Sequence, residues 1–330
     1  MVRRCISALV SIGAVMALAV VGLGIVSGSA VAGASTTAAS GRFVADSPPP
    51  AAKTIHDAGL HPASATSGYD MVGSDGGVFV FPEGSSGGFY GSLPGLGVTV
   101  HNVVGMVGSA NGQGYFLVGS DGGVFSFGDT FYEGSLPGIG VKVNDIVGLV
   151  PSSDDKGYFL VGRDGGVFAF GDALYEGSIP GNGVTINDVV GIASTPDNKG
   201  YWVLENDGTV WNFGTAPNLA SDLTCPAGQT CGNLVSIVAT STGQGLWITD
   251  QYGDVYTSGD APYEGDFSNS ATGPDNVVSL VPNSADNGYI LIGADGAVYA
   301  FNVPFQGSLP SLGVSVNNIV GAVQTQPNPG

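Results

Sequence analysis

"GYFLVGSDGGVFSFGDTFYEGSLPG", residues 114–138, decides the fold. Residues 157–181 read "GYFLVGRDGGVFAFGDALYEGSIPG" and match it at 20 of 25 positions. Further copies open at Gly68-Tyr69, Gly200-Tyr201, Gly245-Leu246 and Gly288-Tyr289, so six units follow at intervals of 46, 43, 43, 45 and 43 residues. A period in the low forties belongs to propeller blades or to pairs of helices. The local pattern chooses between them. The apolar run "GYFLVG" ends at Asp121-Gly122, a hairpin signal whose two central residues favour positive φ. "GVFSFG" then sets Phe125 and Phe127 on one face, "FYEGS" follows the Gly128-Asp129 turn, and a Pro-Gly connection leads to "DIVGLVPS". Runs this short, separated by turn residues, are strands and not helices. The unit is expected to be a four-stranded antiparallel meander.

Runs such as "YFLV" and "YWVL" are apolar throughout, as expected where both faces of a strand are covered. The first unit opens without an "IVG" strand, and the last ends on one, "NNIVGAVQTQ", with no unit after it. The six strands of this kind begin at Val103, Ile146, Val189, Leu234, Val277 and Ile319. If the last completes the first unit, every unit has four strands. The expected fold is all-β: a six-bladed β-propeller of four-stranded antiparallel blades, its ring closed by the C-terminal strand. Glu133, Glu176 and Glu264 fall on the exposed last strand, where charge discourages edge pairing.

Composition agrees. Gly and Pro make up 75 of 330 residues, while 43% are hydrophobic, so the chain is rich in turns and still able to build a core. Residues 1–32 read as a signal peptide, cleaved after Ala30-Val31-Ala32, or as an uncleaved anchor, since the apolar run from Cys5 to Val26 is long enough to span a bilayer. Residues 33–67 form an Ala-, Ser-, Thr- and Pro-rich flexible spacer, 68–326 the propeller and 327–330 a tail. Losing residues 1–32, which carry Arg3 and Arg4 and no acidic residue, takes the net charge from −19 to −21. A surface this acidic repels nucleic acid and anionic lipid. Membrane association is expected only through an uncleaved N-terminal segment. Cys225 and Cys231, in "TCPAGQTC", are the pair left in an exported chain and are expected to form a disulfide.

The phrase "GYFLVGSDGGVFSFGDTFYEGS", with "GYWVLENDGTVWNFG" as a further copy, resembles repeats of secreted actinobacterial proteins. Those run as Gly-Tyr-Trp-Leu-Val-x-x-Asp-Gly-Gly-Val-Phe-x-Phe-Gly-Asp-Ala-x-Phe-x-Gly-Ser, and the resemblance covers residues 68–326. It implies the repeat fold and a secreted or envelope address, and it brings no catalytic residue with it. Such repeats often sit beside wall-active domains.

Few residues carry an obvious chemistry. Asp75, Asp121, Asp164, Asp207 and Asp295 each precede a Gly, and a ring of carboxylates at one mouth could take a cation or sugar hydroxyls. The simpler reading is a structural turn, which wants Asp-Gly backbone geometry. Tyr252-Gly253-Asp254 breaks the series in the fifth unit. Trp202, Trp211 and Trp247, with Asp207, are weak candidates for sugar binding; otherwise these aromatic residues pack between blades. Ser86 in "GSSGG" matches a nucleophile-elbow pattern but lies in a Gly-rich loop of a β unit, without the strand-turn-helix setting. His56, His61 and His101 are too few and too scattered for a metal site. No cofactor and no metal are expected. The variable stretches of units four and five are candidate recognition loops.

The reading that results is a monomeric, exported, non-enzymatic propeller, a binding or scaffold module at the cell envelope or outside the cell. Its partner would be a cell-wall polymer, a glycan or an envelope protein. A lectin-like propeller is the first alternative, and a hydrolase with an axial active site the second.

Overall fold

The computed structural model describes residues 68–81, 88–219, 233–268, 270 and 272–324. All regular structure there is β, apart from short 3₁₀ turns. In chain order the strands are β1 (Tyr69–Gly73), β2 (Val78–Phe81), β3 (Val103–Gly108), β4 (Gly114–Gly119), β5 (Val124–Gly128) and β6 (Ile146–Pro151). They continue as β7 (Gly157–Gly162), β8 (Val167–Gly171), β9 (Val189–Ser194), β10 (Gly200–Glu205), β11 (Val210–Gly214) and β12 (Leu234–Ala239). The last six are β13 (Gly245–Asp250), β14 (Val255–Gly259), β15 (Val277–Pro282), β16 (Tyr289–Gly293), β17 (Val298–Phe301) and β18 (Ile319–Gln324).

These strands form six three-stranded antiparallel sheets. Five are consecutive meanders, from β3-β4-β5 to β15-β16-β17. The remaining one is β18-β1-β2, in which Tyr69 pairs with Gln324 and Asp70 with Val323. For numbering in space, β18-β1-β2 is taken as the first sheet and β15-β16-β17 as the sixth. In every sheet the first-strand pairing slips by one residue near one end, as between Val103 and Gly105, and such a bulge sharpens the twist.

First strands pack on first strands: β3 on β6, β6 on β9, β9 on β12, β12 on β15, β15 on β18 and β18 on β3. The apolar core is correspondingly divided into slabs. Phe116 and Val118 of β4 meet Tyr158 and Leu160 of β7, and Tyr115 and Leu117, on the other face of β4, meet Val72 of β1. Strands β4, β7, β10 and β13 are buried at every residue, which is why their sequences do not alternate.

The expected fourth strand is not one. Among the described residues "FYEGS" and its equivalents join no ladder, so each sheet has three strands there and not four. The reason lies in the partner of its backbone. Tyr158 of the next sheet donates its hydroxyl to the Gly134 carbonyl and accepts the Glu133 N–H at 3.1 Å. Tyr201 does the same to Gly177 and Glu176, and Tyr289 to Gly265 and Glu264. The segment is therefore tied sideways to its neighbour instead of edgewise to its own sheet. Gly134 takes φ 127°, and a Cβ there would lie 3.0 Å from the Phe170 ring, so both conformation and space ask for glycine.

A second set of ties works at the turns between first and second strands. Asp155, Asn198 and Asp286 stand in the left-handed region at φ 59°, 60° and 53°. Their side chains accept the backbone N–H of Ala110, Ser153 and Ser241 on the preceding sheet. Between the fourth and fifth sheets the corresponding residues are Pro196 and Gly243, with a Gly243 Cβ falling 2.5 Å from Pro196 Cδ. Proline offers no N–H, and the residue facing it carries no acceptor.

Candidate binding surface

The Asp-Gly turns use their carboxylates on their own backbone. Asp75 accepts the Gly77 N–H, Asp121 that of Gly123, Asp164 that of Gly166, Asp207 that of Thr209 and Asp295 that of Ala297, all between 2.8 and 3.0 Å. The turn differs from the expected pair of positive-φ residues. Gly76 N–H bonds the Gly73 carbonyl and Gly73 N–H bonds that of Gly77, with only Gly76 at positive φ, 74°. A longer loop closed by one left-handed glycine needs no second such residue. Where Tyr252 breaks the Asp series, the carboxylate has moved upstream. Asp250 accepts the N–H groups of Tyr252 and Asp254 at 2.9 and 3.0 Å, a substitution the regular pattern hid.

Trp202 and Trp247 are fully buried, so neither can present a ring face to a sugar. Each indole N–H instead donates to a proline carbonyl on the outer segment of its own unit: Trp202 to Pro217 at 2.8 Å and Trp247 to Pro262 at 2.9 Å. Tryptophan stands where two other units have Phe116 and Phe159, and a ring that also donates can hold that segment. Trp211 is half-buried, and its N–H donates to Glu205 Oε1 at 2.5 Å.

The exposed aromatic surface lies elsewhere. In the position of Pro217 and Pro262 the second and third sheets carry Phe131 and Leu174, both exposed, while the sixth carries Pro304; Phe305 and Phe89, also exposed, stand one residue further on. In the second and third sheets Tyr132 and Tyr175 follow, each with more than half of its area in solvent. Their hydroxyls are 3.0 Å from Ser135 Oγ and Ser178 Oγ, which fixes the rings over the adjoining 3₁₀ turns. Glu133 and Glu176 come next and are exposed. The chain thus has two kinds of sheet. The fourth and fifth pair a buried tryptophan with an outer proline, though the fifth also exposes Tyr263; the sixth, first, second and third expose Phe305, Phe89, Phe131 and Leu174 on the outer segment. The four are neighbours in space, through β15, β18, β3 and β6.

Several carboxyl groups are displaced from their ordinary range. Asp70 occupies, in β1, the position of Phe116 and Phe159, fully buried with both oxygens unpartnered. Burial alone pushes it up to about 8. Near the fifth hairpin, burial and the neighbouring Asp250 and Asp266 push Asp254 up to about 6. Burial also raises Glu205 and Asp250.

Among the described residues no three His, Cys, Asp or Glu side chains are placed to hold a metal ion, and no helix is long and apolar enough to cross a membrane. Cys225, Cys231, Ser86, His56 and His61 lie outside the described residues, as do the whole of residues 1–67 and most of the variable stretch of unit four. His101 is exposed.

No protein-family model matches the chain, and the search of curated proteins finds no match either. Among solved structures it is similar to the β-propeller domain of Cps50 (Swd1) from Myceliophteria thermophila, at 14% identity over 62% of this chain and 67% of that one, with a TM-score of 0.42. A likeness so remote bears on neither activity nor partners.

Proposed function

We propose that the chain is an exported six-bladed β-propeller acting as a non-enzymatic binding or scaffold module at the cell envelope. The cyclic order of first-strand packing supports the ring, as does the pairing of β18 with β1 across the length of the chain. The leader-like residues 1–32 and the spacer after them support the address. One observation carries the binding role: the repeats spend the polar groups of their buried Trp, latch Tyr and turn Asp residues on internal hydrogen bonds, yet four neighbouring sheets leave apolar side chains on their outer segments in solvent. Apolar area of that kind, repeated on a rigid support, is what a partner covers.

The test is co-sedimentation of the exported chain with isolated cell-wall material, with and without competing soluble glycans. Binding is expected. A protein that stays in the supernatant under all conditions would overturn the envelope-binding reading. A lectin-like mode is the version favoured by the pairing of exposed Tyr132 and Tyr175 with Glu133 and Glu176.

A further inference from the structure

The exposed outer segments define a surface narrower than "binding module" implies, and its chemistry selects among ligands. We infer that the outer segments of the second and third sheets bind a repeating polysaccharide that is uncharged or amine-bearing, with Phe131-Tyr132 and Leu174-Tyr175 as adjacent stacking subsites. This rests on the binding role proposed above and names its ligand class and its residues.

Three observations converge. First, the subsite recurs: Phe131 and Leu174 are the same position of successive units, 60% and 52% exposed, and Tyr132 and Tyr175 are each 55% exposed. Equivalent subsites on neighbouring sheets match a ligand that itself repeats, and weak contacts to such a polymer add through effective concentration. Second, the tyrosine rings are held in advance. The bonds to Ser135 and Ser178 fix them, so stacking costs little side-chain entropy. An aromatic face that stays in water with its hydroxyl already satisfied is suited to the C–H face of a sugar ring. Third, exposed Glu133 and Glu176 directly follow Tyr132 and Tyr175 in the chain, whose net charge is −19. Carboxylates accept hydrogen bonds from sugar hydroxyls and attract ammonium groups, and they repel uronates, sulfates and phosphates. The fourth, fifth and sixth sheets have proline in place of Phe131 and Leu174, at Pro217, Pro262 and Pro304, and in the first two of these tryptophan holds its carbonyl.

The experiment is affinity electrophoresis of the exported chain in gels holding a neutral β-glucan, chitosan or polygalacturonate. Wild type should be retarded by the neutral or the amine-bearing polymer and not by the polyanion. The variant Phe131→Ala, Tyr132→Ala, Leu174→Ala, Tyr175→Ala should weaken that retardation at least tenfold with an unchanged unfolding midpoint, since these side chains are largely in solvent. Tyr263→Ala, on the fifth sheet, should bind as wild type does. The pair Glu133→Gln, Glu176→Gln leaves the rings in place and should reduce retardation by chitosan at least threefold. No retardation by either non-anionic polymer, or retardation untouched in the fourfold variant, overturns the inference. Wall sedimentation that persists in the fourfold variant, or that proves to be protein-mediated, sinks it while leaving the envelope-binding role standing. Failure of wild type to sediment with walls at all sinks that role.

Discussion

The hydroxyl of Tyr69 donates to the carbonyl of Gly307, 238 residues further along the chain. The same hydroxyl accepts the Gln306 N–H at 3.2 Å. It is the tie that Tyr158 makes to Gly134, with the difference that it joins the first strand to the last unit. Tyr69→Phe removes two hydrogen bonds at a part-buried site and should cost about 1–3 kcal/mol in chemical denaturation. Tyr158→Phe should cost a similar amount if the sixth-to-first junction is built like the others. A Tyr69→Phe protein as stable as wild type would show that this junction does not hold.

Glycine at the latch is a second place to probe. Gly134→Ala must place a Cβ at φ 127° and 3.0 Å from Phe170, so we expect a loss of about 2–3 kcal/mol. Gly140 also has positive φ, 79°, but a Cβ there meets nothing within 4 Å. Gly140→Ala should cost only about 1 kcal/mol. Equal effects in equilibrium unfolding would mean that the contact with the ring has no weight.

Asp70 makes a pH prediction. Its folded value of about 8 is above the ordinary 3.8, so between those values the folded chain binds more protons than the unfolded chain. Stability is then greatest at mildly acidic pH, falls as pH rises towards 8 and levels off above it. Raised Asp250, Asp254 and Glu205 push in the same direction. The groups facing Asp70 are the phenols of Tyr90 and Tyr115, themselves raised and therefore neutral across this range. Asp70→Asn should remove most of the slope of unfolding free energy between pH 5 and 8, an effect of roughly 3–5 kcal/mol. A wild-type profile that rises with pH would contradict the assignment.

Much of this architecture was legible in the repeat. All six "IVG" strands start at the residues expected, from Val103 to Ile319, because apolar runs bounded by Asn, Asp and Gly leave little freedom of register. The outer segment was misread for a physical reason. Its short apolar run has strand composition, yet its hydrogen-bond partner is a side chain of another sheet, which composition does not reveal. One clue was present: Leu246 replaces the repeat Tyr in the unit that follows the one lacking "YEGS", so donor and acceptor are lost together. The tryptophans misled in the opposite sense. A large ring with a donor suggests a ligand, whereas here the donor is needed to hold Pro217 and Pro262.

Closure through β18 is the claim on which the propeller reading depends most, and deletion from Ile319 onward tests it most directly. The strand supplies one full edge of partners to β1, from Tyr69↔Gln324 to Gly73↔Ile319, and packs on both β3 and β15. Hydrogen exchange on the truncated chain should show β1 amides unprotected, and the unfolding midpoint should fall further than in any single substitution above. A truncated chain that keeps β1 protection and the wild-type midpoint would contradict the closed ring.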